Sequence, residues 1–315
     1  MRILILHSEP EEISSYLEGQ LQGHELFWAS EPEQVIPLLM EAEPEVVFSI
    51  KHSGFNGSFH AQALSYPSVR WFQVGGSGVD HLGSWDVSKV QVSNAAGVLA
   101  PFHAERAMAA LLYLSTGISR ALEAQGEKEW SPSSFETLLG KTLLILGYGK
   151  TGRELACRAR RFGMKVVGVK RVVQEYYCSQ AHEIHPLERL NELLEKAHVL
   201  SVNLPLNNTT RGLVGRSQLK RLPAGSFLLN ASRGGVLCQE SLLEALSSGN
   251  LRGAWLDVTD PEPLPPDSPL WSHPKILITA HCADLVSDYS LRFARFFCEN
   301  LRRYEAGKEL RNLLK

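Results

Sequence analysis

Apolar residues in this chain gather in short, nearly continuous runs rather than alternating with polar ones. From about residue 140 onward the runs are Leu143-Leu144-Ile145-Leu146, Val166-Val167-Gly168-Val169, Val199-Leu200-Ser201-Val202, Phe227-Leu228-Leu229-Asn230, Gly253-Ala254-Trp255-Leu256-Asp257 and Ile276-Leu277-Ile278-Thr279, with helical segments between them. Strands that are apolar on both sides need cover on both faces, which predicts a parallel sheet flanked by helices. The first hundred residues repeat the style on a smaller scale, at 3–6, Val46-Val47-Phe48, Trp71-Phe72-Gln73-Val74 and Val90-Gln91-Val92, and predict a second open α/β unit. Between the two, Pro101 suits the first turn of an alanine- and leucine-rich helix running from Ala104 to Leu114. That helix is apolar around much of its circumference, so it needs cover from both domains or from another subunit. A last helical pattern, Tyr289, Leu291, Phe293, Phe296, Phe297 and Leu301, returns to the first domain.

The run 143–146 leads into Gly147-Tyr148-Gly149-Lys150-Thr151-Gly152 and then into helical spacing at Leu155, Ala156, Ala159 and Phe162. Strand, glycine turn and helix in that order form a phosphate cradle. Gly147 permits the tight turn, Gly149 lets backbone approach a pyrophosphate, and Gly152 lets the helix pack on the strand. A glycine-rich turn without a ligand is the plainer alternative. The next strand ends in Lys170-Arg171, where an acidic residue would hold the ribose hydroxyls of NAD(H). Two cations attract a 2′-phosphate instead, which predicts NADP(H) as the preferred cofactor, with NAD still possible; two solvated side chains at a strand end are the alternative. The fold class expected is α/β with two open parallel-sheet domains. A Rossmann coenzyme domain, residues 99–284, is inserted into a smaller flavodoxin-like substrate domain formed by 1–98 and 285–315.

A length of 315 residues suits two domains, and a net charge of −2 gives no broad electrostatic reason to expect nucleic acid or an anionic membrane as partner. The N-terminal run Ile3-Leu4-Ile5-Leu6 is too short for a signal peptide, and no later run is long enough to span a bilayer, so a soluble, cytoplasmic protein is expected. Cys157, Cys178, Cys238, Cys282 and Cys298 lack metal-type spacing, and their odd number argues against a disulfide framework; no metal is expected.

In an open parallel sheet, ligands bind beyond the carboxyl ends of the strands. Arg233 follows the run 227–230, Glu262 follows 253–257, and His281 follows 276–279. With a nicotinamide, these three suffice to reduce a keto group beside a carboxylate. Hydride arriving at carbon pushes negative charge onto the oxygen, and His281 can meet it with a proton. Glu262, bonded to the far ring nitrogen, would favour the imidazolium and fix the ring's orientation. Arg233 can hold the carboxylate and polarise the keto oxygen. Each also has an ordinary structural reading: a loop pin, a turn cap and a core histidine. In the first domain, Gly75-Gly76-Ser77-Gly78-Val79-Asp80-His81 follows a strand and can form a backbone nest for a small carboxylate, or a simple turn capped by Asp80. Placing that nest opposite the cofactor would put the substrate between domains, with segments near 97–101 and 283–288 as hinges.

These residues resemble the D-isomer-specific 2-hydroxyacid dehydrogenase family over nearly the whole chain. The cradle at 147–152, Leu204-Pro205-Leu206 with Thr210-Arg211-Gly212, Asn230 to Gly235, Asp257-Val258 through Glu262-Pro263-Leu264-Pro265, and His281-Cys282-Ala283 follow the family's order and approximate spacing. The resemblance implies Arg233, Glu262 and His281 as the catalytic set, and Pro205 and Asp257 among the cofactor contacts. It also implies a substrate carboxylate held by Gly76 and Ser77, and a homodimer formed through the coenzyme domain. Lys170-Arg171 is similar to the pattern of NADP(H)-preferring glyoxylate and hydroxypyruvate reductases, so the expected activity is reduction of a small 2-keto acid. Ala280 and Asp284 depart from the family's usual proline and glycine. Glu262 weighs against a formate dehydrogenase, and the lack of a C-terminal regulatory domain against the longer phosphoglycerate dehydrogenases. An NAD-linked D-hydroxyacid or phosphite dehydrogenase is the rival enzyme, and a dinucleotide-sensing, corepressor-like interaction protein the rival from another class.

Overall fold

A computed structural model describes residues 1–50, 55, 57–79, 81–171, 180–283 and 285–314, and divides into two compact units. Met1–Val98 with Val286–Lys315 form one, and Leu99–Leu285 the other.

The first unit holds β1 (Arg2–Leu6), β2 (Glu25–Ala29), β3 (Val46–Ile50), β4 (Trp71–Gly75) and β5 (Gln91–Asn94), all parallel, in the order β2-β1-β3-β4-β5. Ile3 to Leu6 are wholly buried because cover lies on both sheet faces, whereas the edge strand β2 leaves Leu26, Phe27 and Trp28 half-exposed. The helix Tyr289–Glu305 closes one face: Phe297 stacks on Phe48 at 4.5 Å and on Trp71 at 5.4 Å between ring centroids. A buried polar relay fixes that helix to the sheet. Trp71 Nε1–H donates to Ser93 Oγ (2.9 Å), Ser93 donates to Gln73 Oε1 (2.7 Å), and Asn300 Nδ2 donates to the same oxygen (3.0 Å). Every member is satisfied, so the relay adds specificity without an orphaned buried group.

The second unit holds β6 (Thr142–Leu146), β7 (Lys165–Val169), β8 (Glu183–His185), β9 (Val199–Val202), β10 (Ser226–Asn230), β11 (Leu251–Leu256) and β12 (Ile276–Ile278). Its seven parallel strands run β12-β11-β10-β9-β6-β7-β8. Side chains alternate between two cores: Leu143 and Ile145 enter one, Leu144 and Leu146 the other. Helix Ala100–Thr116 places Ala104, Ala107, Met108 and Leu111 in the first of these, where alanines allow close packing on helix Lys150–Arg161. Strand order reverses between β6 and β9, so the loops after these two strands flank the crevice where such sheets bind ligands. Among the described residues, no helix is long and apolar enough to cross a membrane.

Sequence patterning gave no hint of one buried group in the first unit. His60 is 1% exposed, its Nε2 lies 2.7 Å from Ser49 Oγ, and its ring lies 5.0 Å from that of His81. Burial, and secondarily His81, lower its pKa from 6.5 to about 4. Because the folded form resists a proton that the unfolded chain accepts, the contribution of His60 to stability is full above pH 6.5 and is lost as pH falls toward 4. The loss should be on the order of 3 kcal/mol. Urea unfolding across this range should show the slope in the wild type and a shallower one in His60→Gln; identical slopes would contradict the assignment.

Candidate active site

The cradle after β6 is built by contacts that exclude side chains. Gly147 has φ +98°, and a Cβ there would lie 2.3 Å from Asn203 O, in the loop after β9. A Cβ on Gly152 would lie 2.9 Å from Ile145 Cγ2, so this glycine sets how closely the helix meets β6. Gly149, the residue before the helix, differs: a Cβ there meets nothing within 4 Å. Protein packing does not demand that glycine, whereas an anion approaching the helix's first-turn amides would. The loop therefore fits a dinucleotide phosphate, with Lys150 and Thr151 opening the helix.

Tyr148, expected among the cofactor contacts, turns its side chain into the protein. It is 2% exposed, its hydroxyl accepts from Ala181 N–H at 2.9 Å, and its ring lies where a Cβ on Gly168 would come within 2.7 Å. Its side chain thus shapes the loop from within. Lys170 is half-buried at the end of β7, its amide donating to His185 O at 3.0 Å, and Arg171 is exposed; residues 172–179, Cys178 included, lie outside the described residues. Pro205 is exposed after β9, and its carbonyl accepts from Thr210 Oγ1 at 2.7 Å.

Three crossovers bring the chemistry-bearing side chains forward. After β10, the buried Asn230 orders the turn: its Oδ1 accepts from Ser232 N–H (3.1 Å) and its Nδ2 donates to Arg233 O (3.2 Å). Arg233 is half-buried, with Nη1 donating to Ser232 O at 2.8 Å. The next residue, Gly234, packs so tightly that a Cβ would lie 1.9 Å from Thr259 O. That contact joins the Arg233 turn to the loop after β11. In this second loop, Thr259 N–H donates to Glu262 Oε1 (3.1 Å), leaving Oε2 2.8 Å from His281 Nδ1. The carboxylate orients the ring from its Nδ1 side, which fixes the direction in which Nε2 points.

His281 stands in the left-handed region at φ +48°, which a side-chain-bearing residue adopts only when its surroundings over-determine it. Asp257 does so. Its carboxylate, 2% exposed, accepts from Thr279 Oγ1, from Cys282 N–H (3.1 Å) and from Ala283 N–H (3.0 Å), while its carbonyl accepts from His281 N–H (2.7 Å). Asp257, expected among the cofactor contacts, thus holds the loop that carries the histidine. Neither this role nor that of Asn230 is visible in spacing, since each depends on a partner supplied by tertiary structure.

In the first unit, Gly76 has φ +145° and its carbonyl accepts from Ala95 N–H at 2.7 Å, while Ser77 O accepts from Asn94 Nδ2 at 2.8 Å. Asn94 thereby orders the loop after β4. Asp80 and Asp284 lie outside the described residues.

Comparison with known proteins agrees with this architecture. The model of the NAD binding domain of D-isomer specific 2-hydroxyacid dehydrogenases matches residues 108–283. The chain belongs to this family. It is an oxidoreductase of the 2-hydroxyacid dehydrogenase type, with a coenzyme domain of the NAD-binding kind. A glyoxylate reductase of Korarchaeum cryptofilum is 31% identical over 257 residues, 79% of this chain and 76% of that one. A hydroxypyruvate reductase of Thermotoga maritima is 33% identical over 273 residues, 82% of this chain and 79% of that one. Among solved structures, a D-isomer specific 2-hydroxyacid dehydrogenase from Xanthobacter autotrophicus Py2, in complex with NADPH and MES, superposes with a TM-score of 0.82 at 28% identity, covering 99% of this chain and 98% of that one.

The geometry of Asp257 separates a positioning role from a cofactor contact. Asp257→Asn puts N–H donors in place of one of the two carboxylate oxygens that now accept, and should cost about 1–3 kcal/mol in stability. Turnover should fall while the dissociation constant for the reduced cofactor, read by fluorescence titration, changes less than threefold. A large loss of cofactor affinity with turnover of the bound enzyme intact would make Asp257 a cofactor contact first.

Proposed function

We propose that this chain reduces a small 2-keto acid of the glyoxylate or hydroxypyruvate type to the D-2-hydroxy acid, with NADPH as the preferred reductant. The observation that carries the reading is the 2.8 Å pairing of Glu262 with His281, in a loop that Gly234 ties to the Arg233 turn. A proton donor, its orienting carboxylate and an arginine are the groups this reduction demands. The names of the two reductase relatives support the substrate class, and the NADPH-bound relative, with Lys170 and Arg171 at the end of β7, supports the cofactor.

A dinucleotide with its pyrophosphate on the cradle of Gly147, Gly149 and Gly152 would supply hydride to the keto carbon from its nicotinamide. Arg233 binds the substrate carboxylate through paired N–H donors and draws charge onto the keto oxygen. His281 gives that oxygen a proton from Nε2 and regains one from solvent. Glu262 keeps the ring in one orientation through Nδ1. The backbone of Gly76 and Ser77 is the proposed second holder of the carboxylate. Lys170 and Arg171 pair with the 2′-phosphate, with Arg171 able to do so in a bidentate manner. The proposed assembly is a homodimer. In the coenzyme unit Trp130, Phe135 and Leu139 are 97%, 62% and 70% exposed, an apolar stretch suited to cover by a second copy.

A spectrophotometric panel of glyoxylate, hydroxypyruvate, pyruvate and bulkier keto acids, each with NADPH and NADH, tests substrate and cofactor together. Reduction should be fastest with a small keto acid and NADPH, and His281→Gln should lower kcat by roughly 10²–10⁴-fold while the protein still binds NADPH. Full turnover in that variant would remove the histidine from the chemistry. Lys170→Asp should move the preference toward NADH, because a carboxylate repels the 2′-phosphate; a wild type that already favours NADH would refute the strand-end reading.

A further inference from the structure

The loop that carries His281 is held from two directions, and the second hold comes from a residue that none of the motifs includes. Asp257 grips the amides of Cys282 and Ala283 from the sheet side. The second hold is Arg106, in helix Ala100–Thr116, whose Nη2 lies 3.0 Å from Cys282 Sγ and 3.3 Å from Cys282 O. Both acceptors belong to the residue immediately after His281. The two grips are complementary, since the carboxylate takes the N–H of Cys282 and the guanidinium takes its carbonyl and its sulfur.

Arg106 is exposed, while Ala104 and Ala107 of the same helix are buried at 0% and 6%. The helix is therefore anchored by its apolar side, and the guanidinium reaches out from an element already fixed. A contact of that kind contributes little to folding, yet it acts on a loop whose histidine is in the left-handed region at φ +48°. With one face of the Cys282 peptide released, the backbone at His281 is freer to relax toward commoner angles, and the ring would turn away from the line set by Glu262.

We propose that Arg106 is a positioning residue for the reaction: by donating to the carbonyl and sulfur of Cys282 it keeps the His281 ring aimed at the substrate oxygen. The proposal rests on His281 being the proton donor. It assigns Arg106 no contact with substrate or cofactor, and it gives Cys282 a role as the handle through which the arginine acts.

The test compares Arg106→Met, Arg106→Lys and Cys282→Ala, with the Arg106→Met/Cys282→Ala double variant, in full-length protein, using NADPH and the best keto acid from the panel. Arg106→Met keeps an unbranched apolar stem and removes the donors. It should lower kcat on the order of tenfold, as expected for slight misplacement of a reacting group, with the KM for NADPH within about twofold of wild type and the thermal midpoint nearly unchanged. Its kcat–pH profile should also change shape, which a purely structural surface arginine would not cause. Arg106→Lys should fall between the two. In the Cys282→Ala background the effect of Arg106→Met should shrink, because one of the two acceptors is already gone. If Arg106→Met keeps wild-type kcat and pH profile while His281→Gln loses turnover in the same assay, the positioning role is refuted and the proposed function stands. If His281→Gln itself keeps full turnover, the catalytic reading fails and the role of Arg106 with it. A fall in thermal midpoint with unchanged kcat per active site, counted by NADPH titration, would make Arg106 a stabilising residue only.

Discussion

Asp257 lies 2% exposed just past the carboxyl end of β11, and its carboxylate gathers Thr279, Cys282 and Ala283 from the chain beyond β12. Buried carboxylate oxygens need hydrogen-bond donors, and here the donors are the backbone and hydroxyl groups of the loop they organise. The same residue begins the crossover that leads to Glu262. One buried side chain therefore ties together the two loops whose side chains meet at 2.8 Å, Glu262 from one and His281 from the other. Without it the histidine would have little reason to remain at φ +48°.

Glycines set the remaining spacing by letting backbones touch. Gly234 brings the Arg233 turn against Thr259, and Gly147 brings the cradle against Asn203 at the point where strand order reverses. Gly168 makes room for the Tyr148 ring, whose hydroxyl holds the amide of Ala181 at the far end of the segment that begins with Lys170 and Arg171. Side chains at Gly147, Gly168 or Gly234 would push apart loops that the chemistry needs together. Gly149 stands apart from these, since nothing in the protein crowds it. A chain of parallel strands provides the common edge, and these close approaches turn that edge into a site.

Much of this was legible in the sequence. Continuous apolar runs marked the buried strands because both faces of a parallel sheet are covered, and residues just past those runs proved to stand at one edge. Two strands escaped notice for physical reasons. β2 is an edge strand with Leu26, Phe27 and Trp28 half-exposed, and β8 has only three residues, 183–185, so neither leaves a buried run. Partnerships were the other gap. Asn230 and Asp257 stood in recognisable motifs, but spacing does not say which loop a carboxylate or amide will hold. Arg106 sat in an alanine-rich helix with no motif to mark it, and its meaning depends wholly on Cys282, 176 residues away in the chain. Tyr148 lay inside the glycine signature, where pattern alone suggested a ligand contact and packing gives it an inward role.

On the proposed mechanism a keto acid lies between the Arg233 guanidinium and Nε2 of His281. The most direct measurement is a crystal structure with NADPH and oxamate, an unreactive mimic of a 2-keto acid. The oxamate carboxylate should sit on the Arg233 guanidinium and its carbonyl oxygen within hydrogen-bond distance of His281 Nε2, with Glu262 still on Nδ1. Oxamate bound away from Arg233, or a His281 ring turned from both Glu262 and the ligand, would contradict it.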